Sequence, residues 1–271
     1  GIQFAVFSVA NLFIQAGVNT FDENVVAGNA AAANIDNLIY NVLAAFYTAC
    51  SSFMSQNFGA GKKKEMNDII GTMFSVLTVF AAILSVVIIS INGWIMDVMN
   101  MPSESYDMAI DYLIICTGGL IFTAGYNMVS AVLRGMGDSK RPFLFIGIAS
   151  AINLILDLLF TGFLGMGVAG AAWATIIGQA AAFIFSIFYL YKRKEAFGFD
   201  FKRESFRMQK KYVKMIVSLG TPMAIQMGCL NLSMLYVNSL INDIGVVESA
   251  TFGAGVKIDD IINKISQGIQ Y

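Results

Sequence analysis

The chain has 271 residues, 57% of them apolar and only 13% charged, with a mean hydropathy of +0.68. That composition excludes an ordinary soluble domain, and the net charge of −1 offers no basic surface for nucleic acid. There is no His, which removes the commonest general base and any histidine metal site, and the three cysteines lie scattered in apolar segments, where they read as small packed side chains.

All 17 Lys and Arg except Lys257 and Lys264 fall in three stretches: Lys62 to Lys64, Arg134 to Arg141, and Lys192 to Lys214. The polar turns between them carry acids instead, Asp22 and Glu23, then Asp97, Glu104 and Asp107, then Asp243 and Glu248. Basic loops mark the cytoplasmic side of a bilayer, so the turns alternate inside and outside and the chain reads as a multi-pass plasma-membrane protein with its N-terminus cytoplasmic. A span needs about twenty residues. The apolar stretches divide at residues 1–21, 26–57, 67–96, 108–133, 143–164, 168–191, 213–243 and 249 to the end. The chain opens on Gly1 within an apolar run and reads as a fragment.

The connections are short, with turn signals at residues 22–24, 101–103 and 165–167, so neighbours in sequence are expected to be antiparallel neighbours in space. The run Gly59-Ala60-Gly61 followed by three lysines lacks the spacer and the hydroxyl residue of a phosphate loop and reads as a helix stop. Gly170, Ala174, Gly178 and Ala182 form a small-residue ridge for close helix contact. The segment from Lys192 to Lys211 is expected to be a cytoplasmic linker, partly lying on the membrane surface through Phe197, Phe199, Phe201 and Phe206.

Sliding the chain along itself sets Ile2-Gln3 on Ile225-Gln226, Asn19 on Asn242, and Ile35-Asp36 on Ile258-Asp259. Six spans separate the copies, which makes a parallel repeat about an axis along the membrane normal. The expected fold is therefore an all-α polytopic membrane protein of two six-helix bundles related by a parallel pseudo-two-fold repeat, with about eight spans present here. Residues 1–194 form the first lobe, 195–212 the linker, and 213–271 the first two spans of the second lobe. By that repeat the complete protein would reach roughly residue 417, with about twelve spans.

Polar residues inside the spans are the functional candidates. Ser8, Asn11, Gln15 and Asn19 make one stripe in the first span, and Asn231, Asn238 and Asn242 make its counterpart in the seventh. The second span carries Asn34, Asn37, Asn41 and Thr48, with Asp36 alongside, the fifth Ser150, Asn153, Asp157 and Thr161, and the sixth Thr175, Gln179 and Ser186. Any one amide can be interhelical glue, but stripes on five helices are better satisfied by a shared polar cavity, because unpaired amides facing lipid cost several kcal/mol each. Asp157 stands out, since a mid-span carboxylate costs about 2.5 to 3.5 kcal/mol on insertion scales. It lies eight residues before Gly165, and Thr175 lies eight after Gly167, so the two are expected at matching depth on adjoining helices. With Asn153 they complete an all-oxygen cluster suited to a proton or to a hard cation such as sodium. In the eighth span Lys257, Asp259, Asp260 and Lys264 either line the second lobe's cavity or pair with one another.

The runs Ser55-Gln56-Asn57-Phe58-Gly59-Ala60-Gly61, Leu133-Arg134-Gly135-Met136-Gly137-Asp138 with Pro142, and the stretch from Asn153 to Gln179 resemble the multidrug and toxic compound extrusion (MATE) transporters. The resemblance implies two six-helix bundles, alternating access, and export of small amphipathic, often cationic compounds driven by a proton or sodium gradient, with no cofactor and no enzymatic activity. It also implies that Asn153, Asp157 and Thr175 are the cation-coupling residues. The substrate contacts would come from Asn11, Gln15, Asn19, Asn34, Asp36, Asn37, Asn41, Gln179, Asn238 and Asn242. Many members carry an Asp in the first span where this chain has Ile14, with Gln15 beside it. The bilayer and a small substrate are the expected partners and a monomer the expected state. A flippase for a lipid-linked sugar is the related alternative and would call for cations lining the cavity; an intramembrane enzyme would need a nucleophile with a base, and none is present.

Overall fold

The computed structural model describes residues 23–98, 103–244 and 255. Among the described residues the chain is helical, with α1 (Glu23–Gly59), α2 (Lys63–Ser90), α3 (Asn92–Val98), α4 (Ser103–Gly118), α5 (Leu120–Gly135), α6 (Lys140–Asp157), a π-helical segment (Leu158–Phe163), α7 (Gly167–Lys192), α8 (Lys194–Phe197), a 3-10 turn (Arg203–Phe206) and α9 (Lys210–Ile244). It is an all-helical polytopic membrane protein: five helices are long and apolar enough to cross a bilayer, or six with α4 and α5 taken as one bent span. These correspond to the second through seventh expected spans. The first, nearly all of the eighth, and one member of each matched pair of the repeat lie outside the described residues, as do Met101 and Pro102 of one turn.

Local chemistry sets the ends of the helices. At the close of α1, Gly61 adopts φ +66°, and the Lys62 N–H donates to the Asn57 carbonyl at 3.0 Å, so the expected helix stop is a left-handed glycine cap. The turn between α6 and α7 rests on Gly165 and Gly167, at φ +63° and +55°, as its composition predicts.

The fourth span departs from expectation. It is not one straight helix but two, α4 and α5, bent by 45° at Gly118-Gly119. Ile176 of α7 packs directly on the break, where a Cβ on Gly119 would lie 2.2 Å from its side chain, so only glycine fits there. The Ser85 hydroxyl donates to the Thr117 carbonyl at 2.7 Å, satisfying a backbone group near the bend. The third span also ends early: α2 stops at Ser90, and α3 is a separate turn tied to α4 by the Tyr106 hydroxyl, which donates to the Gly93 carbonyl at 3.2 Å and to Asp97 at 3.1 Å.

The core lies where α1, α2 and α5 meet, around Leu43, Cys50, Met54, Ile70, Met73, Val129 and Leu133, each no more than 1% exposed. Helix α7 packs on α4, α5 and α6 through its small-residue ridge, all four members of which are buried. A Cβ on Gly178 would sit 2.9 Å from the Ala149 carbonyl and 3.2 Å from the Asn153 Cβ, so α6 and α7 approach almost backbone to backbone. Outward-facing side chains such as Val86, Ile155 and Ile184 are more than half exposed, as a surface solvated by lipid requires.

The linker is not a segment lying on the membrane surface. Phe197 and Phe199 are buried, and Phe199 stacks against Phe74 of α2, with Phe201 and Phe206 edge-on to it at 4.6 and 5.3 Å. Polar bonds then hold the segment along α2: the Asn67 amide donates to the Ser205 hydroxyl at 3.1 Å and accepts from the Asp200 N–H at 3.1 Å, and the Ser75 hydroxyl donates to the Phe206 carbonyl at 2.5 Å. The phenylalanines find a protein surface to cover, which competes with lipid for the same apolar area. Residues 198–209 thus form a strap docked on α2.

Asp200 pins this strap. Its carboxylate accepts from the Ser205 hydroxyl at 2.6 Å and the Lys202 N–H at 3.1 Å, and these donors hold it below the usual aspartate value of 3.8. A depressed carboxylate stabilises the fold above the unfolded value and loses that contribution as pH falls through the folded one. Amide-exchange protection of residues 200–207, corrected for intrinsic rates, is therefore expected to hold from pH 7 to 5 and to fall below about pH 4. In Asp200→Asn the protection should be low at every pH; a pH-independent profile in the parent protein would rule out this pin.

Candidate functional site

Asp157 is the last residue of α6, at the junction with the π-helical segment. It is 6% exposed, and neither of its carboxyl oxygens has a hydrogen-bonding partner among the described residues. Its backbone carbonyl accepts from the Thr161 hydroxyl one turn on. A π-helical turn frees carbonyls from the i to i+4 ladder and recurs at functional sites. Here it begins at the one buried carboxylate among the described residues.

Asn153, one turn earlier on α6, donates from Nδ2 to the Thr175 hydroxyl of α7 at 3.4 Å, and that hydroxyl donates to the Ala171 carbonyl at 2.9 Å. The residue level with Thr175 is thus Asn153. Asp157 lies further along the helix pair, between that contact and the one where Gly170 meets Phe160, and not at Thr175's own depth. Counting equal residues from the turn misplaces it because the π-helical segment and the two strained glycines of the turn do not share the α-helical rise. Gln179, one turn on from Thr175, has a buried Oε1 with no partner among the described residues.

Sequence reasoning missed Tyr112. This buried residue of α4 lies within electrostatic reach of both Asp157 and Asp36, and it shares a side-chain hydrogen bond with Cys116. The two carboxylates come from α6 and α1. The signal was present as two polarisable groups, Tyr112 and Cys116, at i and i+4 in an apolar span. Asp36 is half-buried, Asn41 likewise, and Asn37 is exposed. Asn34 lies on α1, and Asn238 and Asn242 on α9, with side chains outside the described ones; Asn11, Gln15 and Asn19 lie outside the described residues altogether. Thr48 and Ser186 turn inward on their own helices, donating to the Ala44 and Phe183 carbonyls at 2.9 and 2.8 Å.

The Asn153–Thr175 bond is neutral and bridges two helices, an interaction worth on the order of 0.6 to 1.7 kcal/mol in membranes. Thr175→Val is expected to cost about that much in unfolding by denaturant in mixed micelles. Asn153→Ala should match it within error, and the double variant should cost no more than either single one. Additive losses would show that the two side chains act separately.

A family model described as MatE matches residues 1–159. The probable multidrug resistance protein YpnP of Bacillus subtilis is 30% identical over 245 residues, covering 90% of this chain and 54% of that protein. The probable multidrug resistance protein NorM of Thermotoga maritima is 26% identical over 229 residues, covering 81% of this chain and 48% of that protein. The chain thus spans about half the length of the curated relatives it matches. Among solved structures, an outward-facing MATE-family multidrug resistance transporter of the MOP superfamily superposes with a TM-score of 0.88 at 22% identity, over 96% of this chain and 58% of that one. The Vibrio cholerae MATE transporter VcmN in its bent form gives 0.83 at 17% identity, over 94% and 57%.

Proposed function

We propose that this chain, which belongs to the MATE family of multidrug efflux transporters, is the first lobe and the beginning of the second of a cation-coupled antiporter that exports small amphipathic compounds from the cell by alternating access. The names of its relatives support the multidrug reading, and the positive-inside pattern of its loops supports a plasma-membrane location with the N-terminus cytoplasmic. The observation that carries the coupling is Asp157, a buried carboxyl with no protein donor among the described residues.

A carboxylate in that setting is stable only when neutralised, so its occupancy by a proton or a sodium ion is tied to the access of its surroundings to water. Asn153, one turn away on α6, and Thr175 on the facing helix add neutral oxygens, and Tyr112 and Asp36 extend the polar set towards α1. Asp36 supplies a second acid in a lobe whose first span carries Ile14 where many relatives carry Asp. Loading of Asp157 favours one packing of α6 against α7 and unloading the other, which is the differential interaction an antiporter needs. Beyond Pro222, α9 leaves Ile225, Leu230 and Tyr236 more than half exposed, an apolar wall suited to packing of the second lobe or to contact with amphipathic substrates. The test is export of a fluorescent cationic dye by the full-length protein in proteoliposomes under imposed proton and sodium gradients. Export that follows one gradient and stops when it collapses is expected; export indifferent to both would overturn the antiporter reading.

A further inference from the structure

The cytoplasmic ends of α6 and α7 carry a cation cluster that the coupling site around Asp157 does not include. The Arg141 guanidinium lies 5.2 Å from the centre of the Tyr189 ring and that of Arg193 lies 5.8 Å from the same centre, so the two charges are no more than 11.0 Å apart. Phe145 and Phe197 hold the ring itself edge-on, at 5.8 and 6.0 Å. Lys194 stands 5.5 Å over the neighbouring ring of Tyr191. The charges are poorly balanced. Residues 138–141 and 192–195 contain five cations, Lys140, Arg141, Lys192, Arg193 and Lys194, and two acids, Asp138 and Glu195. Asp138 pairs with Arg141 at 2.7 Å, while the other four cations make no ion pair with any described residue.

The exposed faces of the same two helices are apolar. Leu144 on α6 and Ile184 and Phe188 on α7 are 57%, 63% and 63% exposed, and both helices are membrane spans. Tyrosines at the end of a span sit at the level of the lipid headgroups. A molecule that lies against this wall and ends at the cations must be long and apolar with an anionic head. A soluble anion would gain the charges but not the wall, and a neutral lipid the wall but not the charges.

We propose that Arg141 and Arg193, held on Tyr189, form a binding site for the phosphate of an anionic phospholipid whose chains run down the exposed faces of α6 and α7. Guanidinium forks match phosphate oxygens; Arg193 makes no ion pair with any described residue, while Arg141 keeps one N–H edge on Asp138 and has its remaining donors to offer. The site joins the basic end of α7 to the start of α6, the helix that ends at Asp157, so a bound lipid would brace the coupling helix pair from its far end.

Native mass spectrometry of the full-length protein, released from micelles doped with equal phosphatidylglycerol and phosphatidylcholine, tests this. Preferential retention of phosphatidylglycerol is expected. Arg193→Gln, which breaks no ion pair with any described residue, should weaken it about fivefold, corresponding to about 1 kcal/mol per basic residue at a membrane surface. Adding Arg141→Gln should remove the preference, whereas Lys202→Gln, at a basic residue paired with Asp200, should leave it intact. An unchanged melting temperature in phosphatidylcholine alone shows that the variants fold. Equal retention of the two lipids, or a preference untouched by Arg193→Gln, would overturn the site. Displacement of phosphatidylglycerol by an equal concentration of inorganic phosphate would also overturn it, marking a free-anion site in its place.

Discussion

Asp157→Asn is expected to abolish gradient-driven export by the full-length protein, with initial rates falling at least about tenfold, equivalent to a loss of about 1.4 kcal/mol or more in the coupled step. The substitution is nearly isosteric and removes only the ability to carry a charge. Because the carboxyl oxygens are buried and bond to no described residue, no protein contact seen here is broken, and the melting temperature should stay level or rise slightly. That combination distinguishes a coupling carboxyl from a structural one. A structural carboxyl would show lost stability together with lost transport.

Dye binding is the second readout. With Asp157 permanently neutral, the lobe is held in the state that loading favours, so equilibrium affinity for the dye should cease to depend on proton or sodium concentration. In the parent protein that affinity should fall as the coupling ion rises, since ion and substrate compete for opposite states of one equilibrium. If Asp157→Asn still exports dye along an imposed gradient, the coupling group lies elsewhere. Asp36→Asn is then the next variant, because Asp36 is the other carboxyl within reach of Tyr112.

Much of this was legible in the sequence, and what was hidden has physical causes. The spans could be read because charge segregates so strongly: three basic stretches alternate with acidic turns, and lipid admits little else than helices between them. Asp157 could be read because an acid in an apolar span needs a reason. The break at Gly118-Gly119 could not, since two glycines are as compatible with tight straight packing as with a bend, and Ile176, which packs on Gly119, lies 57 residues away in sequence. Tyr112 was hidden for the same reason: its two carboxylates come from α1 and α6. The linker's phenylalanines fit a membrane surface and a protein groove equally well by composition, and the choice was made by Asn67, Thr72 and Ser75 on α2, whose side chains meet the backbone or hydroxyls of the strap. These three polar residues sit in an apolar span and were not singled out, since each looks like ordinary helix content until its partner is known.

Gly71→Ala should release that strap. Gly71 lies on α2 directly under the strap backbone, where an added Cβ would stand 1.6 Å from the Ser205 carbonyl oxygen and 2.6 Å from its carbon. Both are main-chain atoms, so no rotamer change relieves the overlap, and helix and strap must part by roughly 2 Å to restore ordinary contact. Such a separation breaks the Asn67–Ser205 and Ser75–Phe206 bonds and the 3.3 Å bond from the Gln209 N–H to the Thr72 hydroxyl at the entry to α9. Overpacking of this kind costs about 1 to 3 kcal/mol, which raises the open population of the strap by roughly 5- to 160-fold. Limited trypsin digestion reads that population, because Lys202, Arg203 and Arg207 are exposed cleavage sites within the strap, and cleavage needs the residues around them freed from α2. Faster cleavage there is expected in Gly71→Ala and not in Gly147→Ala, where an added Cβ meets nothing within 4 Å. The effect should extend to transport, since α9 leaves the strap with Tyr212 and Ile216 buried in the core, and a rigid strap fixes where α9 starts. Dye export slowed with gradient dependence retained would mark the strap as a mechanical link; unchanged cleavage would mean that α2 absorbs the methyl group by shifting within the core.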